Sequence, residues 1–130
     1  MATKLCTDLE QSNELKKFLP LESADICWTN HLFGGILSSW RIEGTPLQQY
    51  KNLLDRFIVK GYLIEPAWSL SALEDILPVG TESHKQSDGS ISYYYVEVYN
   101  NKKYFSTKRY DNLVDACVEM VLKLHELNLL

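Results

Sequence analysis

The sequence contains little cysteine and no long apolar run. Its 130 residues include only three cysteines, Cys6, Cys27 and Cys117, an odd number at wide spacing, which argues against a disulfide framework. No apolar run approaches the roughly 20 residues that span a bilayer, and no basic segment followed by an apolar one suggests a secretory signal. We therefore expect a cytoplasmic protein with reduced thiols and no membrane partner.

Motifs of the common enzyme classes are missing as well. The sequence has no Walker-type loop, no dinucleotide-binding glycine pattern, no Gly-x-Ser-x-Gly and no His-Glu-x-x-His. Cys27 and His31 would share one face of a predicted strand, but no further residues stand at ligand spacing. We predict structural roles for Cys27 and Cys117, and a protein that is not an enzyme and needs no cofactor or metal. A hydrolase or metal enzyme at Cys27 and His31 is the alternative left open.

Charge is only weakly biased. Seventeen acidic residues against 13 basic ones give a net charge of −4, so the chain is not a general polyanion binder, although a local basic strip could still bind. A hydrophobic content of 45% is typical of globular proteins. Since we find no repeat, low-complexity tract or linker, the length predicts a single domain over residues 1–130.

Caps, apolar stripes and terminating residues predict helices in four segments. The expected caps are Thr7, Thr45, either Ser69 or Ser71, and Asp111. In the first helix Thr7 is the expected cap, with Glu10 reaching back to it. The last helix has the most regular apolar spacing and is expected to pack across the sheet. The leucines that follow it, in residues 127–130, are expected to cover the edge of the core or to pack against a partner.

Strand signals predict hairpins between these helices. One hairpin runs from Asp25 to Ile42 and turns at Gly34-Gly35. A short extended piece follows at residues 62–64, and residues 79–90 are expected to form a loop that holds a short strand near its start. The predicted fold class is α+β: an antiparallel sheet built from hairpins, packed on one side by the long C-terminal helix and other helices.

The most informative segment is a predicted hairpin over residues 92–109, which turns at Asn100-Asn101. With that turn, Glu97 would face Tyr104 and Tyr95 would face Ser106. One face would then display aromatic and basic side chains, namely Tyr93, Tyr95, Tyr99, Tyr104, Lys102 and Lys108. The other face would carry a core-facing set, namely Tyr94, Val96, Val98 and Phe105.

Three interpretations of the tyrosine-bearing face stay open. Tyrosine has a high β propensity and cross-strand aromatic pairs stabilise sheets, so the face could be purely structural. Tyrosine is also enriched in protein interfaces. Bases of single-stranded nucleic acid can stack on exposed aromatics while Lys102 and Lys108 hold phosphates, although Glu97 and the acidic net charge weaken this third interpretation.

Several motifs together resemble a group of small uncharacterised bacterial proteins that are often associated with phage-like or other mobile elements. The motifs are Cys6-Thr7-Asp8-Leu9-Glu10-Gln11-Ser12, Ser23-Ala24-Asp25, Pro66-Ala67-Trp68-Ser69-Leu70-Ser71-Ala72-Leu73 with Leu77-Pro78, and Asp115-Ala116. The segment from about residue 45 to residue 62 departs from the shorter members of the group. The resemblance implies an accessory bacterial protein and brings no catalytic residues.

These observations lead to two functional hypotheses. The first is an accessory or regulatory protein that acts by protein–protein interaction or by self-association, with an unknown protein or a second copy as its partner. The alternative is a single-stranded nucleic-acid-binding protein that uses the tyrosine/lysine face of the 92–109 hairpin.

Overall fold

The computed structural model describes residues 4–33, 36–37, 41–44, 62–97 and 102–130. The predicted helix over residues 45–61 and the turns at Gly34-Gly35 and Asn100-Asn101 lie outside these residues. The fold is α+β with antiparallel strand pairs, as the sequence predicts. The chain divides into two compact units, Cys6–Ser69 and Leu70–Leu130, the second including residues 1–5. The single domain over residues 1–130 stays a prediction.

The N-terminal unit holds a four-stranded sheet in which the first strand is central. Its elements are α1 (Leu9–Leu15), a 3₁₀ turn (Leu21–Ser23), β1 (Ile26–Phe33), β2 (Ile36–Leu37), β3 (Arg41–Gly44) and β4 (Tyr62–Ala67). Strand β1 pairs with β2, β3 and β4, always antiparallel. The pairs Phe33–Ile36 and Ile26–Gly44 confirm the predicted hairpin.

The cap of α1 is one residue later than predicted. The Asp8 carboxylate accepts from the Gln11 N–H at 2.8 Å, and the Gln11 side chain accepts from the Asp8 N–H at 3.0 Å, which is a capping box. Thr7 does not cap, because its buried hydroxyl is used in tertiary contacts. It accepts from the Trp68 N–H at 3.1 Å and lies 2.8 Å from the Ser12 hydroxyl.

The core of the N-terminal unit is centred on Trp68, which is fully buried. The Trp68 indole N–H donates to the Ser23 hydroxyl at 2.9 Å, and the Trp28 indole N–H donates to the Thr7 carbonyl at 2.9 Å. A buried indole N–H needs such a partner. The Asp25 carboxylate accepts from the Ser69 N–H at 2.9 Å and from its hydroxyl. Three of the motifs quoted above therefore meet around one tryptophan, and their physical role is to build this core.

The C-terminal unit is a three-stranded antiparallel sheet preceded and followed by a helix. Its elements are α2 (Leu70–Ile76), β5 (Thr81–Lys85), β6 (Ile91–Glu97), β7 (Lys102–Ser106) and α3 (Leu113–Glu126). The strand order is β5-β6-β7, and β5 is the short strand predicted near the start of residues 79–90. Helix α3 contacts both β6 and α2. Its buried stripe consists of Val114, Ala116, Cys117, Val118, Met120, Val121 and Leu124.

The N-cap of α3 differs from the sequence-based expectation. Asn112, not Asp111, is the N-cap, and its side-chain oxygen accepts from the Asp115 N–H at 2.8 Å. At the other end, Asn128 takes the left-handed conformation (φ 59°). Its N–H donates to the His125 carbonyl, and the N–H of the next residue donates to the Leu124 carbonyl, which together form a Schellman motif.

The C-terminal leucines differ in their exposure to solvent. Leu127 and Leu130 are both exposed, while Leu129 is half-buried. The expectation that this segment covers the edge of the core is therefore wrong for Leu127 and Leu130.

Candidate interaction surface

A cluster of three side chains lies on one face of the C-terminal sheet. Glu82 on β5 stands directly opposite Tyr94 on β6, and His84 is two residues further along the same face. The Tyr94 hydroxyl donates to the Glu82 carboxylate. The His84 and Tyr94 rings lie 6.4 Å apart between centroids, tilted by 57°. We call Glu82, His84 and Tyr94 the outer cluster.

The outer cluster is accessible from solvent. Glu82 and His84 are exposed and Tyr94 is half-buried. The pKa of the Tyr94 phenol is raised, first because its hydroxyl donates to the Glu82 carboxylate and further because of partial burial. The phenol is protonated at neutral pH and donates to Glu82, and the raised pKa extends this state to more alkaline pH. The arrangement fixes one partly exposed aromatic ring between an acidic group and an imidazole.

The opposite face of the same strand points into the core, which inverts the predicted assignment. Tyr93, predicted for the displayed face, is only 3% exposed, and its hydroxyl donates to a Glu74 carboxylate oxygen at 3.2 Å. Its neighbour Tyr94, predicted for the core, carries the outer cluster. Tyr95 is half-buried and pairs with Phe105. A tyrosine ring can enter a core when its hydroxyl finds a partner, and Glu74 supplies that partner to Tyr93.

The register of the 92–109 hairpin also differs from the prediction. Glu97 pairs with Lys102 rather than with Tyr104, and Tyr95 pairs with Phe105 rather than with Ser106. The register shifts between Tyr95 and Val96, as it does at a β-bulge, which adds one residue to one strand. A pairing derived from the turn alone assumes regular alternation, so it cannot locate this shift.

The remaining residues of the predicted binding face are not brought into one described site. Tyr99 and the side chains of Tyr104 and Lys102 lie outside what the structure describes. Lys108 is exposed, and its backbone N–H donates to the Glu119 carboxylate at 2.9 Å. Of the predicted tyrosines whose side chains are described, Tyr93 is thus unavailable for stacking and Tyr95 is only half exposed.

The cysteines are buried thiols. Cys117 lies beside the Tyr93 hydroxyl, and its pKa is raised to about 12, mainly by burial and further by the negative charge of Glu74. A thiol with that pKa is neutral at pH 7 and a poor nucleophile. Cys27 is also fully buried. Among the residues that the structure describes, no group of three or more His, Cys, Asp and Glu side chains could hold a metal ion.

A shallow cleft of about 300 Å³ lies where the β5–β6 turn approaches the segment before α3, lined by Asp88, Gly89, Ser90, Arg109, Tyr110 and Asp111. The Asp88 carboxylate accepts from the Ser90 hydroxyl at 2.6 Å and from the Ser90 N–H at 2.9 Å. These two bonds lower the pKa of Asp88, and the charge of Arg109 adds to the effect. The volume of the cleft is at the lower limit for ligand pockets. Its main hydrogen-bond acceptor, the Asp88 carboxylate, is already used within the β5–β6 turn.

Sequence reasoning missed Glu82 and His84 because β5 is composed almost entirely of polar residues. Its sequence is Thr-Glu-Ser-His-Lys, with one β-branched residue and no apolar alternation. Strand pairing is predicted from both signals, so the sequence indicates a short strand here without giving its partner or the residues that face Tyr94.

Comparison of the chain with protein-family models, with curated proteins and with solved structures found no match. In the part of the chain that the structure describes, no helix has the length and apolar character required to cross a membrane.

Proposed function

We propose that this chain is a non-catalytic accessory or regulatory protein that acts by binding protein, and that the outer cluster is the centre of its contact surface. The observation that carries the proposal is the half-exposed Tyr94 ring, held by Glu82 beside His84. Tyrosine is enriched among the residues that dominate interface energetics, because it gives a large contact area at low entropic cost.

The setting of Tyr94 supports a role in binding. On the other face of the sheet, the buried Tyr93 lies beside Cys117 of α3, so the core is built without Tyr94. Its hydroxyl is already bound to Glu82, and a side chain that is fixed before binding loses less entropy when a partner arrives. Strand β5 beside it exposes residues 82–85, which provide a polar rim of the kind that surrounds interface hot spots.

Single-stranded nucleic acid remains the second candidate. Exposed cations at Lys85, Lys108 and Arg109 favour it, because phosphate binding depends on such groups. Against it, Tyr93 is buried and Glu82 places a negative charge beside the Tyr94 ring that would have to stack. We therefore rank it below protein binding.

The bacterial setting, the association with mobile elements and the cytoplasmic location are part of the same proposal. The sequence resemblance supports the first two. All three cysteines are buried thiols that form no disulfide, which agrees with a reducing compartment.

Cross-linking followed by mass spectrometry in bacterial lysate tests the proposal. A captured protein is then produced separately, and its dissociation constant is measured against the wild type, Tyr94→Ala and Lys17→Ala. Lys17 is exposed on the segment after α1 and serves as the matched control. We expect Tyr94→Ala to weaken binding about tenfold or more and Lys17→Ala to leave it unchanged. Equal binding by the wild type and Tyr94→Ala would contradict the assignment of the surface.

A parallel titration with a fluorescent single-stranded oligonucleotide distinguishes the second candidate. Micromolar binding that weakens steeply with salt and is lost in Tyr94→Ala would replace protein binding by nucleic-acid binding. Absence of binding at low salt would remove that candidate.

A further inference from the structure

Strand β5 forms an accessible edge of the C-terminal sheet. Among the described residues it pairs only with β6. All four residues from position 82 to position 85 are exposed, although their side chains alternate between the two faces of the sheet. Exposure on both faces means that neither α2 nor α3 extends over this strand. A second strand could therefore approach its outer side.

Two hydrogen bonds establish which backbone groups point to that outer side. The Thr81 N–H donates to the Pro78 carbonyl, away from β6, while the Gln86 N–H donates to the Ser90 carbonyl across the hairpin. Because backbone direction alternates along an antiparallel strand, even-numbered residues bond to β6 and odd-numbered residues point outward. The backbone of Tyr93 is consistent with this alternation. Tyr93 stands opposite Ser83, and its own N–H and C=O both bond to Thr107, on the side away from β5. Ser83 and Lys85 thus direct both N–H and C=O outward.

We propose that two copies of this chain pair antiparallel through β5, with the two-fold axis at Ser83. This pairing rests on the proposed function and names a second copy of the chain as a partner. Ser83 would stand opposite Ser83 of the second copy, and Glu82 would stand opposite its His84. Thr81 would stand opposite its Lys85. The two-fold axis is perpendicular to the sheet, so both outer clusters lie on the same face of one continuous sheet.

The side chains of Glu82 and His84 favour this register over its neighbours. Outward-pointing residues must pair with each other, so the register can change only in steps of two residues. A step in one direction places Glu82 opposite Glu82, and a step in the other places His84 opposite His84. Two carboxylates directly opposite repel and neither can donate a hydrogen bond, whereas an imidazole N–H can donate to a carboxylate that faces it. Only the axis at Ser83 pairs Glu82 with His84 twice.

The pairing would be weak because the edge is short. Ser83 forms a reciprocal pair of backbone bonds, and each Lys85 N–H donates to the Thr81 carbonyl of the other copy. The Thr81 N–H stays with Pro78. Since the strand has five residues, the contact lies below the size of a standard stable interface. We expect an equilibrium between monomer and dimer in the micromolar range rather than a permanent dimer.

Sedimentation velocity of the full chain tests the pairing. From ~5 to ~500 μM, the wild type should pass from 15.0 kDa towards twice that mass. Ser83→Pro removes the N–H at the axis, a change that an edge strand tolerates because that N–H faces solvent in the monomer. It should raise the dissociation constant about tenfold or more. The matched control Ser83→Ala keeps the N–H and should dimerise like the wild type.

A charge exchange tests the register. His84→Glu places a second carboxylate opposite Glu82 of the other copy and should abolish the dimer. The double variant Glu82→His/His84→Glu restores unlike pairs and should recover it. Circular dichroism establishes that each variant is folded. Amide exchange at Ser83, which should slow as concentration rises, gives a readout independent of mass.

Three results would overturn the pairing: a strictly monomeric wild type at the highest concentration, an equal dimer in Ser83→Pro, or no recovery in the double variant. None of them removes the proposed function, because none of them measures the binding of another protein at Tyr94. That function fails separately, when a captured partner binds Tyr94→Ala as well as it binds the wild type.

Discussion

The buried Cys117 thiol makes the stability of the C-terminal unit depend on alkaline pH. Its pKa rises from 9.0 to about 12 on folding, mainly because burial disfavours the thiolate. Above pH 9 the unfolded chain loses this proton while the folded chain keeps it, so the free energy of unfolding falls as pH rises. From pH 9 to pH 11 the loss is about 2 kcal/mol. Below pH 9 the thiol contributes no pH dependence.

Urea unfolding at intervals from pH 7 to pH 11, with a reductant present, measures this loss. Other groups also titrate in the range, so the comparison is with Cys117→Ala, which keeps all of them. The variant starts less stable at pH 7 because a buried group is removed, but its stability should fall less steeply above pH 9. Tyr93→Phe should also flatten the profile, at higher pH, because burial raises the pKa of Tyr93 as well.

Parallel profiles for the wild type and Cys117→Ala would refute this reasoning. They would mean that the thiol ionises equally in the folded and unfolded chain, which contradicts a fully buried side chain beside Tyr93 and Glu74. Thiolate absorbance in the folded protein gives an independent check. A thiolate signal from Cys117 near pH 9 in the folded protein would also refute this reasoning.

Two further predictions concern backbone and side-chain contacts. Thr7→Val should lower the free energy of unfolding, measured in urea, by about 2 kcal/mol, because the buried Trp68 N–H loses its acceptor. Thr7→Ser keeps the hydroxyl and should recover most of this loss. A Thr7→Val variant as stable as the wild type would show that the contact is dispensable. Asn128→Ala should cost about 1 kcal/mol, because residue 128 is left-handed. Asn128→Gly should match or exceed the wild type in the same assay, and a more stable Asn128→Ala would exclude the Schellman motif.

The presence of the helices was easier to predict from the sequence than the residues at which they begin. Asp8 and Asn112 each stand next to another residue that can cap a helix, Thr7 and Asp111. Local propensity does not separate such neighbours. At the first site the choice is made by Trp68, sixty-one residues away, whose N–H engages the Thr7 hydroxyl. A cap is therefore decided partly by tertiary contacts that a local pattern does not contain.

Which face of β6 is buried was harder still to predict from the sequence. Three consecutive tyrosines, at positions 93–95, give no alternation from which a buried face could be chosen. The buried face is determined by Glu74 on α2, which accepts a hydrogen bond from the Tyr93 hydroxyl and allows that ring to enter the core. The irregularity after Tyr95 then removes the register argument based on the turn. Glu74 lies outside the hairpin sequence and the irregularity leaves no signal in it, so the outer cluster could not be derived from the hairpin alone.

The motifs on which we base the proposed link to small mobile-element proteins can be placed in the structure. Most of them meet around Trp68 in the N-terminal unit, where Thr7, Ser23 and Asp25 are used in hydrogen bonds that hold the core. The surfaces that we propose for binding lie on β5 and β6, outside every one of those motifs. A motif that builds a core specifies a fold, whereas a partner is specified by exposed side chains. We therefore expect proteins with these motifs to share the fold, and to share a partner only where they carry equivalents of the outer cluster.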